Sequence, residues 1–147
     1  MKLRSEIDKS LTWDLSQIFE NEAAWEAAYA EAAATVETIP AIKGTLGASV
    51  EAMKNGLDVF FAASEKAELV YVYSMLRLNV DNGDPKYQTM QGRAVNLSVA
   101  FSSACAFLEP EILSIETNVP DRFQEAIRDV FPRYLARKEG PANQQVN

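Results

Sequence analysis

Five groups of residues in this chain have types and spacing that could do chemistry, and each meets an obstacle. Glu65 and Glu68 stand three apart, which puts two carboxylates on one side of a helix, as a metal site would need. Carboxylate metal sites in helical bundles add Glu-x-x-His motifs, and the chain has no histidine. The pair therefore reads as first-turn acids of a helix, where negative charge meets the positive end of the macrodipole. Asp81, Asn82 and Asp84 suggest a calcium loop, but their spacing departs from the EF-hand pattern and no glutamate follows at the required distance. A turn is expected there. Gly44, Gly47 and Gly56 do not make a phosphate loop, since no strand precedes them and no Gly-Lys-Ser/Thr follows. Cys105 sits among Ala104, Ala106 and Phe107, where a thiol acts as a small core hydrophobe. A thiolate nucleophile would need an activating base, and there is no histidine to supply one. Tyr71 and Tyr73 point to different faces of one helix, one into the core and the other toward a groove or a partner.

The missing histidine excludes Ser-His-Asp, Cys-His and His-Glu-x-x-His centres together. No catalytic, cofactor-binding or metal residue is assigned. A net charge of -7, from 21 acidic and 14 basic residues, argues against nucleic acid, which needs a concentrated cationic face. The densest basic group, Arg133, Arg137 and Lys138, reads as charge opposing a helix C-terminus. A single cysteine forms no internal disulfide, which fits a reducing compartment. The first nine residues lack the apolar core of a signal peptide, and the greasiest run, 69–78, is broken by Arg77 and too short to span a bilayer. A cytoplasmic location and no membrane partner are expected.

The elements that would position these groups are helices. Residues 1–20 read as an irregular lead-in anchored by Trp13, Leu15, Ile18 and Phe19. Asn21 is an N-cap with Glu22 in the first turn, and Trp25, Ala28, Tyr29, Ala32 and Val36 follow on one face before Pro40 closes the helix. A second helix over 47–62 carries Val50, Met53, Leu57, Phe60 and Phe61. A third, capped by Ser64, carries Leu69, Val72, Tyr73, Leu76 and Val80. Asn82-Gly83-Asp84-Pro85 is the clearest turn, and Pro85 starts the longest helix, over 85–108, with Tyr87, Met90, Ala94, Leu97, Phe101, Ala104 and Leu108 on one face. Glu109-Pro110-Glu111 breaks it, leaving a short apolar segment at Ile112, Leu113 and Ile115. Pro120 and Asp121 start a last helix through Phe123, Ile127 and Val130, which Pro132 ends. There is no internal repeat and no strand pair. The fold expected is all-α, an irregular antiparallel bundle of about five or six helices. Residues 1–20 form the lead-in, 21–139 a single helical domain, and 140–147 a polar tail.

Three segments carry a family resemblance. Trp13-Asp14-Leu15-Ser16-Gln17-Ile18-Phe19 followed by Glu22-Ala23-Ala24-Trp25-Glu26 resembles the opening pattern of oligoendopeptidase F, a zinc metallopeptidase of the M3 family. Tyr71-Val72-Tyr73-Ser74-Met75-Leu76-Arg77-Leu78-Asn79-Val80-Asp81 is similar to that family's helix ending in an aspartate before a short loop. Phe101-Ser102-Ser103-Ala104-Cys105-Ala106-Phe107-Leu108-Glu109-Pro110-Glu111-Ile112-Leu113-Ser114-Ile115 holds the most specific element, Phe-Leu-x-Pro-Glu-Ile/Leu-Leu. Their order over about residues 11–115 carries the match; beyond Pro132 it fades, because the family continues into a basic stretch with a histidine.

The resemblance implies an N-terminal helical piece that forms one wall of a channel admitting short peptides. In the family, zinc is held in a later domain by His-Glu-x-x-His, whose glutamate activates a water. Nothing here matches that motif, so no zinc or catalytic role carries over. The partners implied are the missing catalytic domain, or self-association through an exposed face, and short peptides in the full-length family. Two rival readings are a stand-alone helical protein-interaction module and an enzyme using carboxylates alone.

Overall fold

The computed structural model describes Asp8 and residues 14–118. Among them every regular element is helical: a 3₁₀ turn at Leu15–Gln17, α1 (Glu22–Thr38), a 3₁₀ segment at Ile39–Ile42, α2 (Val50–Val80), α3 (Pro85–Ala104) and α4 (Leu108–Asn118). The all-α expectation holds. The described residues contain four α-helices, and one of the five or six expected, from Pro120, lies outside them, as do the basic group at 133–138 and Trp13.

The cap expected at Asn21 is present, and Asp84 and Asp14 supply two more. The Asn21 side chain accepts the Ala24 amide at 2.9 Å and starts α1. The Asp84 carboxylate accepts the Lys86 amide at 2.8 Å, with Pro85 in the first turn of α3, where its missing N–H costs nothing. Asp14 does the same for the short turn before α1, accepting from Ser16 at 3.0 Å.

Two boundaries differ from expectation. The helices expected over 47–62 and from Ser64 are one continuous α2, which is also the longest helix among the described residues. Ser64 alone does not interrupt a run of good helix formers, so Glu65 and Glu68 lie in mid-helix and are not first-turn acids. The break expected at Glu109-Pro110-Glu111 lies earlier, at Cys105–Phe107. A proline clashes with the carbonyl four residues before it and gives that carbonyl no partner. For Pro110 that residue is Ala106, inside the break. Phe107 then receives the first bond of α4, from the Glu111 amide at 3.0 Å, and Pro110 sits harmlessly in the first turn.

The described residues divide into two compact units, residues 14–41 with 59–105, and 42–58 with 106–118. In the first, Trp25, Ala32 and Val36 of α1, Val70 and Tyr73 of α2, and Met90, Ala94 and Leu97 of α3 share one core. Leu15 is buried with them, and Phe19 meets Tyr73 edge to face at 5.3 Å, so residues 15–19 of the lead-in are anchored as expected. The face that α2 buries in this unit differs from the expected one. Ala63, Ala67, Val70, Tyr73 and Ser74 are buried, whereas Leu69 is 42% and Phe61 54% exposed. Small side chains at 63, 67 and 74 let neighbouring helices approach; Phe61 is nine residues from Val70, about half a turn out of phase.

In the second unit Leu46, Met53, Leu57, Leu108, Ile112 and Ile115 are buried. The Glu111 carboxylate fixes the loop before α2, accepting the Gly44 amide at 2.8 Å and the Leu46 amide at 3.0 Å. Gly44 has φ +80°, a conformation that favours glycine.

Candidate functional site

The chemistry-bearing side chains gather along the seam of α1 and α3, around Trp25. Trp25 is fully buried, and its Nε1–H donates to the Val70 carbonyl of α2 at 2.9 Å. The indole stacks on Tyr29, one helical turn along α1, at 5.4 Å. Arg93 of α3 lies over both rings, its guanidinium carbon 4.3 Å from the Tyr29 centroid and 5.1 Å from that of Trp25. One tryptophan thus joins three helices, by a hydrogen bond on one side and cation–π attraction on the other.

A groove of about 460 Å³ opens beside this cluster, lined by Glu22, Ala23, Glu26, Lys86, Thr89, Met90 and Arg93. Its charges pair across the seam. Arg93 donates from Nη1 and Nη2 to the two oxygens of Glu26 at 2.7 and 2.8 Å, the bidentate fork that suits guanidinium and carboxylate. That hydrogen bond holds the Glu26 carboxyl below its ordinary pKa. Lys86 pairs with Glu22, which pushes the lysine upward. The Thr89 hydroxyl donates to the Pro85 carbonyl at 2.9 Å. Every polar group named here is already engaged, and the arrangement holds no nucleophile paired with a base. Its work is to lock α1 against α3.

Deeper in the same unit, Arg77 donates from Nε and Nη2 to the Tyr73 hydroxyl at 3.0 and 2.8 Å, with its guanidinium carbon 5.8 Å from the Tyr87 ring centroid. The fully buried Ser74 hydroxyl donates to the Tyr71 carbonyl at 2.8 Å and lies 2.7 Å from the Gln91 side-chain amide. This second network ties α2 to α3.

The residues singled out from the sequence are not brought together. Glu65 and Glu68 are exposed, and no group of three or more Cys, Asp or Glu able to hold a metal exists among the described residues. Without histidine, the donors present do not fit a zinc site of the His-Glu-x-x-His kind. Asp81 and Asp84 serve the turn: the Asp81 carboxylate accepts the Gly83 amide at 3.1 Å. Gly47 and Gly56 are packing glycines, abutting Ile115 and Leu46 respectively. Tyr73 is fully buried, and Tyr71 is half-buried against the same core. Partial burial pushes the Cys105 thiol up, which makes it less reactive. Sequence reasoning missed the Glu22, Glu26, Lys86 and Arg93 seam. Its signal was present: acids four apart on α1 and cations seven apart on α3 form opposite-sign rows.

The chain is 32% identical over 93% of its length to the plasmid-encoded oligoendopeptidase F of Lactococcus lactis subsp. cremoris, and covers 24% of that protein. It is 31% identical over 95% of its length to the chromosomal oligoendopeptidase F of the same organism, again covering 24%. Against the oligopeptidase PepF of Bacillus subtilis (strain 168) the figures are 32% identity, 82% of this chain and 18% of the relative. The chain thus spans about a quarter of the length of the curated relatives it matches, or less. No protein-family model matches it, and no solved structure does.

Proposed function

From the premise that this chain is homologous to oligoendopeptidase F over nearly all of its own length, we propose that it is a non-catalytic N-terminal helical domain of an M3-type oligoendopeptidase. Its role is to form part of the wall of the channel that admits short peptides, with hydrolysis performed elsewhere in the parent polypeptide. The observation that carries the reading is the asymmetry of the match, 93% of this chain against 24% of the relative. A supporting feature is the chemistry of the α1–α3 seam, where the charged side chains neutralise one another and serve architecture. On this reading the chain hydrolyses no peptide by itself.

The test is complementation. The portion of the Lactococcus lactis plasmid-encoded enzyme outside the match is produced separately and mixed with this chain, and cleavage of a fluorogenic short peptide is followed. At least a tenfold gain over either component alone is expected. No gain, with both components folded, refutes the reading and leaves the stand-alone interaction module in its place.

A further inference from the structure

We infer that the outward face of α3, formed by Gly92, Val95, Asn96, Val99, Ala100 and Ser103, is a docking surface for the part of an oligoendopeptidase polypeptide that lies outside the match; this rests on the proposed function. These residues are exposed, Val95 at 40% and Val99 at 63%, and lie on the side of the helix away from the buried Met90, Ala94 and Leu97. No charged residue occurs from Ala94 to Leu108, in a chain that is 24% charged. An exposed helix face in water ordinarily carries lysine and glutamate; this one carries valine, alanine, serine and asparagine.

Gly92 is an independent sign. Glycine inside a helix is less stable there than alanine. At Gly47 and Gly56 neighbouring side chains explain the missing Cβ, but at Gly92 a Cβ would meet nothing within 4 Å. The chain keeps a clearance that nothing in its described structure uses. With Asn96 and Ala100 at steps of four, it forms a shallow track along which another backbone can approach closely.

Size and charge select the occupant. From Gly92 to Ser103 the face is about 17 Å long and about 10 Å wide, roughly 170 Å². A stable contact between separate chains needs about 800 Å² from each partner, so this face does not suffice alone, and the proposal makes it the apolar centre of a larger contact. A second copy would bring two chains of net charge -7 together around it, and an anionic membrane would meet the same repulsion. The helical stretch Pro85–Ile115 is apolar enough by length and composition to cross a bilayer, yet its helix is interrupted at Cys105–Phe107. About three quarters of the relative's length lies outside the match, a polypeptide large enough to surround the face.

Binding of the chain to the separately produced remainder of the Lactococcus lactis enzyme tests this by calorimetry. Val99→Lys and Gly92→Leu are expected to weaken binding at least tenfold each, while helicity is unchanged and the melting temperature of Gly92→Leu is equal or higher. Glu68→Gln, on α2, should bind as the parent does. Binding that survives both α3 substitutions overturns the assignment of this face but leaves the proposed function standing. Absence of binding by the unsubstituted chain defeats both. Dimerisation abolished by Val99→Lys, or sedimentation with neutral phosphatidylcholine vesicles abolished by it, assigns the face to a second copy or a lipid surface and overturns the inference.

Discussion

Replacing Trp25 tests whether one side chain holds the three helices of the first unit together. The side chain is fully buried, so Trp25→Ala removes an aromatic payload and leaves a cavity in a core that cannot fully collapse. Large aromatic-to-alanine changes of this kind cost about 3–5 kcal/mol. Trp25→Phe keeps one ring but loses the Nε1–H bond to the Val70 carbonyl and part of the stacking under Arg93. The hydrogen bond contributes about 1 kcal/mol and the lost apolar area about 1 kcal/mol more, so roughly 2 kcal/mol is expected. Domains of this size are stable by about 5–15 kcal/mol. The alanine variant should therefore lose a large share of its stability, and the phenylalanine variant should melt roughly 8 °C lower. Urea unfolding followed by far-ultraviolet circular dichroism reads both. An alanine variant that loses less than about 2 kcal/mol, or a phenylalanine variant indistinguishable from the parent, would show that the helices are held by something else.

Three further outcomes are expected. Gly56→Ala should destabilise by about 1–3 kcal/mol despite alanine's better helix propensity, because its Cβ collides with the fully buried Leu46 side chain; Gly92→Ala, where a Cβ meets nothing, should stabilise by about 0.5–1 kcal/mol, and thermal melting of the two variants reports the opposite signs. Glu111→Ala should cost about 2 kcal/mol, since it strips the acceptor from the Gly44 and Leu46 amides, and hydrogen exchange at those two amides should accelerate first. Glu26 titrates lower in the folded than in the unfolded chain because of its bond to Arg93, so the stability it adds is present above the unfolded glutamate pKa and is lost as pH falls through the folded value. Its side chain is 52% exposed, which limits the effect to under about 1 kcal/mol; Glu26→Gln should flatten the acid limb of a stability–pH profile by that amount at low salt, and a profile as steep as the parent's would exclude the pair.

Local chemistry made much of this molecule legible in its sequence. Asn21 and Pro85 are read correctly as helix starts because what starts a helix is local: a cap is a contact between a side chain and an amide only three residues away, and a proline fixes its own backbone angle. The α1 face of Trp25, Ala32 and Val36 and the α3 face of Met90, Ala94 and Leu97 follow from a period of 3.6 and large apolar side chains. The missing histidine, and with it the absence of the family's zinc motif, also belongs to the sequence alone.

Tertiary packing decided the rest. Periodicity follows bulky residues, so on α2 it selected Leu69 and Phe61, whereas the structure buries Ala63, Ala67 and Ser74 because close helix approach needs small side chains. The role of Glu111 depends on amides more than 60 residues away, and no local pattern announces it. The Arg93–Glu26 fork depends on two helices meeting in one register, although the rows of charge were visible on each. Gly56 and Gly92 look alike in sequence, each a weak point in a helix. Only the structure separates a glycine pressed against Leu46 from one facing open space, because the difference lies in what the rest of the chain places beside each.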